Sequence, residues 1–433
     1  MLKPSKFNFW ATIAQNQHLL FNGISGALYE LDAQEKISAM RFLESPNKHL
    51  DSNGANLPQS LIEGGFIVPN HVDEVEMLLT RNQLECVNHH TLELVIAPTY
   101  NCNFRCTYCY VDFKAERMSR ETEKRMVKYI ERVLPQYQQV NISWFGGEPL
   151  LCLDTVLRVS QQIKNFAGYH KVELQNFITS NGYLLKLETA FKLFEAGIRF
   201  FHITVDGPSH HHDQLRVLAG GGPSYAEIMK NLRDLLTYIP QAHLTLRMNA
   251  DEKNVDSLYE VMDDIPADFR QRIQVNIFPI LYGGKIPAVR VYQKINRMIR
   301  YALRNGYQYY DIHIPVKRKT FCTADKYNNF QIGFDGTLYK CSPATDKVEV
   351  KVGQLNAEGL PELGEAYNVW HEVPVVQSYC QECSYLCFCP GGCRLDRLRG
   401  TNDLACRNKY SDIENLIINR YLAIINDAFE VRL

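Results

Sequence analysis

The chain has 433 residues, of which 45% are hydrophobic and 22% charged, so it has the composition of a folded globular protein and not of a disordered one. Its net charge of −1 provides no general attraction to nucleic acid or anionic lipid. The first residues contain no apolar core of signal-peptide length, and no stretch reaches the roughly 18 apolar residues of a membrane helix. We therefore expect a cytoplasmic protein that binds neither nucleic acid nor membrane, with about two to four domains.

The thirteen cysteines are many for a protein in a reducing compartment, where disulfides are rare. They are also clustered, because three lie within residues 102–109 and most of the others lie beyond residue 320. Metal binding is therefore the favoured interpretation, and disulfide pairing is the alternative.

Residues 1–90 are predicted to form a small separate module. FNFWATIA, HLLFN and GALYELD are typical of the strands of a meander, with Asn22-Gly23 as a turn. Helical patterns follow at 33–44, 58–64 and 71–86, with a short strand at 66–69. Three strands with three helices form a winged-helix pattern, but the module has more acidic than basic side chains, unlike a DNA-binding face. We expect a strand edge that accepts an extended peptide, with a purely structural domain as the alternative.

Residues 91–305 alternate strands and helices, which predicts a parallel sheet with right-handed crossovers. The strand candidates are LELVIAP, VNISWF, VELQNFIT, FFHITV, LTLRMN and IQVNIF. The helical patterns lie near 118–134, 154–167, 184–196, 224–238, 254–263 and 288–304. The fold class is thus α/β, and six βα units fit a partial (β/α)6 TIM-like barrel, whose chemistry occurs at the C-terminal ends of the strands.

Polar or glycine-rich motifs follow the first four predicted strands. They are the cysteine cluster, Gly146-Gly147-Glu148, Ser180-Asn181-Gly182 and Asp206-Gly207. The carboxyl ends of parallel strands meet at one rim of a barrel, so these motifs are expected to build one site.

The cysteine cluster, CNFRCTYCY, places Cys102, Cys106 and Cys109 in the spacing CxxxCxxC. Three thiolates bind three irons of a cubane and leave the fourth iron open, whereas zinc with a fourth ligand is the alternative. With Tyr108 before the last cysteine, the loop resembles that of the radical S-adenosylmethionine (SAM) superfamily, and the resemblance covers the whole barrel. It implies a 4Fe–4S cluster that binds SAM and cleaves it reductively to a 5′-deoxyadenosyl radical.

The resemblance also implies contacts to SAM. The segment WFGGEPLL is similar to the family's GGEP element, here Gly146, Gly147, Glu148 and Pro149. In the family the glycines let the backbone approach the ligand, and the glutamate meets the ammonium group of the methionine moiety.

Two further motifs stand where the family contacts the ribose and carboxylate of SAM, ITSNG with Ser180 and ITVDG with Thr204. A third candidate, Arg216, ends an HDxxR pattern and has a guanidinium that suits a carboxylate. Loop capping is the alternative for all three. The run His210–His212 is expected to be a solvated loop.

Residues 306–433 are predicted to form a third domain. It is irregular up to residue 410, so bound metal should order it, and it ends in an amphipathic helix at 411–430 packed on the barrel. Its cysteines and Gly336 resemble the SPASM extension of radical enzymes that modify peptides and proteins, with zinc ribbons as the alternative.

The SPASM resemblance implies two auxiliary 4Fe–4S clusters, and hence three clusters in all. By analogy, the first is held by Cys322, Cys341 and Cys393. The second is held by Cys380, Cys383, Cys389 and Cys406. Cys387 is extra and either replaces a neighbouring ligand or has no metal role. Cys86 and Cys152 are expected to be ordinary buried thiols.

Two classes of enzyme share this architecture. The first modifies a ribosomally made precursor peptide, and the module at 1–90 resembles the leader-peptide recognition element of such enzymes. We therefore expect a precursor peptide bound through its leader and given a crosslink such as a thioether or carbon–carbon bond. The second class, anaerobic sulfatase-maturing enzymes, forms formylglycine, but has an aspartate where this chain has Ser342. Either class implies an electron donor such as flavodoxin or ferredoxin. A non-catalytic, zinc-ordered peptide-binding scaffold is the alternative of another class.

Overall fold

The computed structural model describes residues 1–48, 56–88, 90–281, 287–309, 322–344, 347–374, 376–389, 391–401 and 412–426. The chain divides into two compact units. Unit 1 comprises Met1–Cys86, Tyr309–Cys322 and Pro374–Leu433, and unit 2 comprises Val87–Gln308 and Thr323–Val373. The segment predicted as a third domain is thus shared between the units.

The N-terminal part of unit 1 contains a meander and three helices. Its strands are β1 Leu2–Pro4, β2 Asn8–Ala14, β3 Gln17–Asn22, β4 Leu28–Leu31 and β5 Ile67–Pro69. Its helices are α1 Ala33–Glu44, α2 Asn56–Glu63 and α3 Glu74–Val87. β2, β3 and β4 pair antiparallel in that order, which confirms the predicted meander, whereas β5 pairs with β1 in a separate sheet. Asp32 caps the N-terminus of α1 and forms a reciprocal capping box with Glu35.

Unit 2 holds the predicted barrel. Its strands are β6 Thr91–Ile96, β7 Phe104–Cys106, β8 Gln139–Trp144, β9 Glu173–Ser180, β10 Phe200–Thr204, β11 Arg216–Leu218, β12 His243–Ala250 and β13 Ile273–Pro279. After β14 Gln308–Tyr309, where the two units adjoin in sequence, come β15 Phe330–Ile332, β16 Thr337–Tyr339, β17 Lys351–Leu355 and β18 Pro361–Leu363. Its helices are α4 Arg120–Val133, α5 Leu153–His170, α6 Leu187–Glu195, α7 Ser209–Leu215, α8 Tyr225–Tyr238, α9 Leu258–Asp263, α10 Ala267–Arg270, α11 Val289–Arg304 and α12 Glu365–Glu372.

The six predicted barrel strands are confirmed. β6, β8, β9, β10, β12 and β13 lie side by side, all parallel, in the order of the chain. Alternate residues of β6 and β8 are buried, and in β8 Val140, Ile142 and Trp144 are fully buried. Trp144 donates a hydrogen bond to Ser160 of α5 over 2.9 Å, which identifies the buried face as the one covered by helices. The structure is therefore the predicted α/β partial barrel, with its strand ends on one rim.

The sheet continues beyond β6 into the segment that was predicted to be irregular. β15 pairs parallel with β6, and β16, β17 and β18 extend the sheet antiparallel. Gly336, at φ +86°, permits the turn between β15 and β16. These strands have three to five residues each, too few for a periodic pattern to reveal them.

The C-terminal part of unit 1 contains α13 Arg394–Leu398 and α14 Ile413–Ile425. The prediction that the last helix packs on the barrel is wrong, because α14 packs on the meander. Glu414 accepts a hydrogen bond from the Thr12 N–H over 3.0 Å, and Tyr421 donates one to Glu30 over 2.6 Å. Ile417 of α14 joins the core that covers this face of the sheet. None of the described helices is long and apolar enough to cross a membrane.

We expect Phe201→Ala in β10 to destabilise the barrel, because Phe201 is fully buried and truncation leaves a cavity. The expected cost is about 3–5 kcal/mol, seen as a lower urea midpoint by circular dichroism. Phe191→Ala in α6 is the matched control, because Phe191 is 42% exposed, and should change stability by no more than about 0.5 kcal/mol. Equal effects of the two changes would contradict this assignment of the core.

Candidate functional site

The cysteine loop follows β6 and includes the short strand β7, which pairs with β11. Cys106 at the end of β7 lies opposite Arg216 at the start of β11. The Phe104 N–H donates to the Cys102 sulfur over 3.3 Å, and the Cys109 N–H donates to the Cys106 carbonyl over 3.1 Å. The three predicted cluster cysteines thus share one hydrogen-bonded loop at the C-terminal end of the first barrel strand.

Burial favours the protonated thiol at Cys102 and Cys106. It raises the pKa of Cys102 to about 12, helped by Glu148, and it raises the pKa of Cys106 against the influence of Arg216. Iron must therefore displace protons to bind here. Within the described ranges, no three Cys, His, Asp or Glu side chains have the spacing of ligands to a single ion. A cubane tolerates wider spacing because each thiolate binds its own iron, so the loop fits a cluster.

The loop after β8 approaches the cysteine loop so closely that side chains have no room. The Gly147 N–H donates to the Thr99 carbonyl over 3.0 Å, and the Glu148 N–H donates to the Asn101 carbonyl over 2.8 Å. A Cβ atom at Gly147 would lie 2.1 Å from the Asn101 oxygen, and one at Gly146 would lie 2.5 Å from the Thr99 oxygen. Both glycines thus let the two loops meet. Their approach to a bound ligand stays a prediction.

Glu148 is buried beneath this contact, with 1% of its surface exposed. Its carboxylate accepts hydrogen bonds from the Ser180 hydroxyl (2.9 Å), the Asn181 N–H (2.8 Å) and the Leu150 N–H (3.1 Å). Burial raises the pKa of Glu148, and these three hydrogen bonds oppose that shift. Pro149 begins the short 3-10 helix that Glu148 caps. The carboxylate is therefore held in one orientation, and its contact with the SAM ammonium group stays a prediction.

Asn181 links the third strand end to the cysteine loop. Its side-chain nitrogen donates to Asn103 over 2.8 Å and lies 3.8 Å from the Cys102 sulfur. The buried Nδ2 of Asn103 has no acceptor among the described residues. Buried donors are normally paired, so an unpaired one beside the cluster cysteines fits a bound group that supplies an acceptor.

Asp206 organises the fourth strand end and is fully buried. Its carboxylate accepts hydrogen bonds from the Tyr108 hydroxyl and from the Asn249 N–H, the latter over 2.7 Å. An Arg216 nitrogen lies 3.5 Å from the same carboxylate and donates to the Tyr108 oxygen over 2.7 Å. The Asn249 side chain donates to Tyr108 over 3.2 Å. The aromatic residue before Cys109 is thus fixed by several segments at once.

Arg216 already meets a carboxylate in the structure, that of Asp206. Its guanidinium is buried, and its Nε atom has no acceptor within the part of the chain that is described. A guanidinium presents several donors in a planar fork, so it can bind a second carboxylate besides Asp206. The predicted contact with the carboxylate of SAM uses that remaining donor and stays a prediction.

The expectation of a solvated loop at His210–His212 is wrong, because these residues belong to α7 and His212 is fully buried. Burial, with a contribution from Arg216, lowers the pKa of His212 to about 3, so the ring is neutral. Its Nδ1 accepts a hydrogen bond from the Asp206 N–H over 3.2 Å. Asp213 accepts hydrogen bonds from Ser224 and Tyr225 and thereby fixes the start of α8. His212 and Asp213 of the HDxxR pattern therefore shape the loop that holds Asp206 and Arg216.

Thr204 is buried at the end of β10, beside Arg247 of β12 in the sheet register. Sequence reasoning did not find Arg247 or Asn249. Arg247 donates to the Asn249 side chain over 3.1 Å and stacks 4.3 Å above the ring of Phe278. Their position in the sequence could have identified them, because both residues lie at the end of the predicted strand LTLRMN, which reaches the same rim as the other motifs.

The auxiliary cysteines are only partly described. Cys341, soon after β16, belongs to unit 2, whereas Cys322 and Cys393 belong to unit 1. In unit 1, Cys380 is buried and Cys383, Cys389 and Cys393 are half-buried. Cys406 lies outside the described residues. Both ligand sets therefore stay predictions. Cys387 is buried in the apolar core of unit 1, and burial raises the pKa of its thiol.

A partial barrel with three cysteines after its first strand and polar strand ends at one rim defines a class of SAM-cleaving iron–sulfur enzymes. Residues 96–265 match the family model of the Radical SAM superfamily. An uncharacterised protein of Methanocaldococcus jannaschii is 30% identical over 281 residues, which cover 61% of this chain and 93% of that protein. The chain therefore belongs to the radical SAM superfamily, whose members use a 4Fe–4S cluster and S-adenosylmethionine.

Two further relatives have a named activity. The radical SAM cyclopropyl synthase TigE of Paramaledivibacter caminithermalis is 24% identical over 252 residues, and the match spans about half of each protein, 51%. A cysteine-type anaerobic sulfatase-maturating enzyme of Clostridium novyi is 22% identical over 350 residues, which cover 72% of this chain and 91% of that enzyme.

Two solved structures share the fold. The structure of anSMEcpe with bound AdoMet and the Cp18Cys peptide has a TM-score of 0.60 at 18% identity, covering 78% of this chain and 99% of that one. Streptococcus suis SuiB bound to its precursor peptide SuiA has a TM-score of 0.53 at 16% identity, covering 91% and 95%. At such low identities the likeness shows the fold alone.

We expect Gly147→Ala to displace the cysteine loop, because its Cβ atom would lie 2.1 Å from the Asn101 oxygen. The expected result is loss of about four irons per chain and SAM affinity weaker by about tenfold or more, measured by iron analysis and equilibrium dialysis. Gly168→Ala is the control, because nothing lies within 4 Å of its added Cβ atom. Wild-type iron content and affinity in Gly147→Ala would disprove the close-approach argument.

We expect Glu148→Gln to keep its iron but to bind SAM about tenfold more weakly. The amide places a donor among three donors and removes the negative charge predicted to meet the ammonium group, which costs about 1–3 kcal/mol. Glu131→Gln on the exposed face of α4 should leave both iron and affinity unchanged. Unaltered SAM binding in Glu148→Gln would rule out the predicted contact.

Proposed function

We propose that this enzyme cleaves SAM reductively and modifies a ribosomally synthesised precursor peptide that binds through its leader to the N-terminal module. The observation that carries the proposal is the meander of unit 1, added to a radical SAM barrel. β4 is the last strand of this meander, and no described strand pairs with its outer edge. An edge of this kind can add an extended peptide through main-chain hydrogen bonds.

The surroundings of β4 favour a leader that carries positive charge. Glu30 within β4 is exposed, and Asp32 and Glu35 follow at the start of α1. Hydrogen bonds from Tyr421 and Gln17 lower the pKa of Glu30, so its carboxylate stays ionised. Complementary charge speeds the encounter of a peptide with such an edge and fixes its direction.

In the proposed reaction, the cluster and SAM supply a radical that abstracts hydrogen from the peptide, using an electron from a donor such as flavodoxin or ferredoxin. The chain itself would hold the cluster with Cys102, Cys106 and Cys109. Glu148 would orient the methionine end of SAM, with Ser180 held against it. Asp206, through Tyr108 and Arg216, would keep the cysteine loop in register with the fourth strand.

Sulfatase maturation is the second candidate. It is favoured by the match to the Clostridium novyi enzyme, which spans 91% of that protein. Ser342 is evidence against this candidate, because a serine hydroxyl is a far weaker base than the aspartate those enzymes have at this position.

A zinc-ordered scaffold is distinguished by colour. Such a protein would be colourless, whereas an iron–sulfur protein purified without oxygen is brown.

We expect the reduced enzyme to release 5′-deoxyadenosine from SAM in the presence of dithionite, measured by liquid chromatography. Simultaneous replacement of Cys102, Cys106 and Cys109 by Ala should abolish the release, because the SAM-binding cluster is lost. Cys152→Ala is the control, because this buried thiol donates to the Pro98 carbonyl, 3.8 Å away, and is not one of the predicted cluster ligands. Release that persists in the triple variant would refute the cluster assignment.

The substrate is tested by co-expression with each short open reading frame beside the gene, followed by mass spectrometry. A crosslink removes two hydrogen atoms, so a loss of about 2 Da is expected in the precursor. A sulfatase peptide converted to formylglycine, with every neighbouring short peptide unchanged, would establish the second candidate instead.

A further inference from the structure

The segment around Cys387 forms part of the core of the N-terminal meander. Leu386, Cys387 and Phe388 are buried in one cluster with residues of β2 and β3. The Phe388 ring lies 4.9 Å from that of Phe9 and 6.0 Å from that of Phe21. The face of the meander opposite α1 and α2 is therefore covered by residues that lie between predicted ligands of the second auxiliary cluster.

Contact between the turn after β3 and this segment is very close. A Cβ atom at Gly23 would lie 2.4 Å from the Cys387 sulfur and 3.0 Å from the Phe388 ring. The Cys387 thiol contacts the Ser384 carbonyl at 3.6 Å and faces this core. Only glycine leaves room for Cys387 at this place.

A second contact joins the entry to β2 to the turn between Cys380 and Cys383. The Lys6 ammonium donates to the Gln381 carbonyl and lies 3.4 Å from the Glu382 carboxylate. Lys6 is itself fixed, because its N–H donates to the buried carboxylate of Glu74 over 2.9 Å. The two residues inside the CxxC spacing thus hold the start of the meander.

The covering segment has little regular structure of its own. Its described residues form only the 3-10 turns Ser378–Cys380 and Ser384–Cys387, with no strand and no α-helix between Pro374 and Cys389. Such short turns have weak hydrogen-bond geometry and do not persist alone. The thiols of Cys380, Cys383 and Cys389 have the chemistry of iron–sulfur ligands, and ligation couples directly to folding in segments of this kind.

We propose that loading Cys380, Cys383 and Cys389 with their cluster completes the core of the meander, and that Cys387 is a packing contact and not a ligand. The chain then presents its peptide-binding edge only when this loop is loaded. The part that concerns the peptide rests on the proposed function, whereas the coupling of cluster to sheet does not.

Hydrogen exchange measured by mass spectrometry, without any peptide, tests the coupling. In the double variant Cys380→Ser/Cys383→Ser, amides of β2 and β3 should exchange about tenfold faster or more, while β8 and β9 stay as in the wild type. Unchanged protection of β2 and β3 would overturn the proposal. Lost protection in the barrel strands as well would also overturn it, because the effect would then be global unfolding.

Two further variants, with Gly364→Ala as a control, separate the contact from the metal. Gly23→Val should keep the wild-type iron content but expose β2 and β3 to exchange, because its side chain meets Cys387. Gly364→Ala, with nothing within 4 Å of its added Cβ atom, should change neither. Cys387→Ala should retain all iron, and loss of iron there would show that Cys387 is a ligand. Because no peptide is used, these results stand even if precursor modification is not observed.

Discussion

Two backbone hydrogen bonds hold the site together, those by which Gly147 and Glu148 donate to the carbonyls of Thr99 and Asn101. They join the loop after the first barrel strand to the loop after the second. No side chain fits at Gly146 or Gly147, because an added Cβ atom would lie 2.5 Å or 2.1 Å, respectively, from a carbonyl oxygen of the neighbouring loop. The position of Cys102 therefore depends on the absence of atoms at Gly146 and Gly147 as much as on any contact it makes.

The two buried carboxylates beside this contact both have hydrogen-bond donors. Glu148 is paired with the donors of Ser180 and Asn181, and Asp206 is paired with Arg216 and Tyr108. A buried carboxylate without donors is costly, so each carboxylate fixes the strand end that supplies its donors. The cysteine loop is thereby held from two sides, by Asn181 near Cys102 and by Tyr108 before Cys109. These hydrogen bonds orient the side chains of the rim without a ligand, which suits a site that must hold SAM in one orientation.

The barrel and its rim could be predicted because both leave strong local signals. Each long strand is rich in β-branched and aromatic residues, and each motif follows its strand directly, so parallel topology alone brings the motifs together. The helix α7 was missed because its length, Ser209–Leu215, is too short for a helical period to stand out from a run of histidines. Its role is visible only in three dimensions, where His212 holds the backbone of Asp206.

The C-terminal third was harder to predict for a different physical reason. The amphipathic pattern of α14 shows that the helix has an apolar face, but it does not show which surface that face covers. The partner is the sheet of the meander, about 400 positions earlier in the chain. Likewise, the sequence shows that Cys387 is one cysteine too many for the cluster, but it does not show where the thiol points.

The positions of α14 and Cys387 have one physical cause, which is the need to cover the second face of the meander. The three-stranded meander contributes residues to apolar clusters on both of its faces, and α1 with α2 cover only one of them. The other face must be covered by residues from elsewhere, and in unit 1 these come from the cysteine-rich segment and the last helix, which ties the two ends of the chain into a single unit.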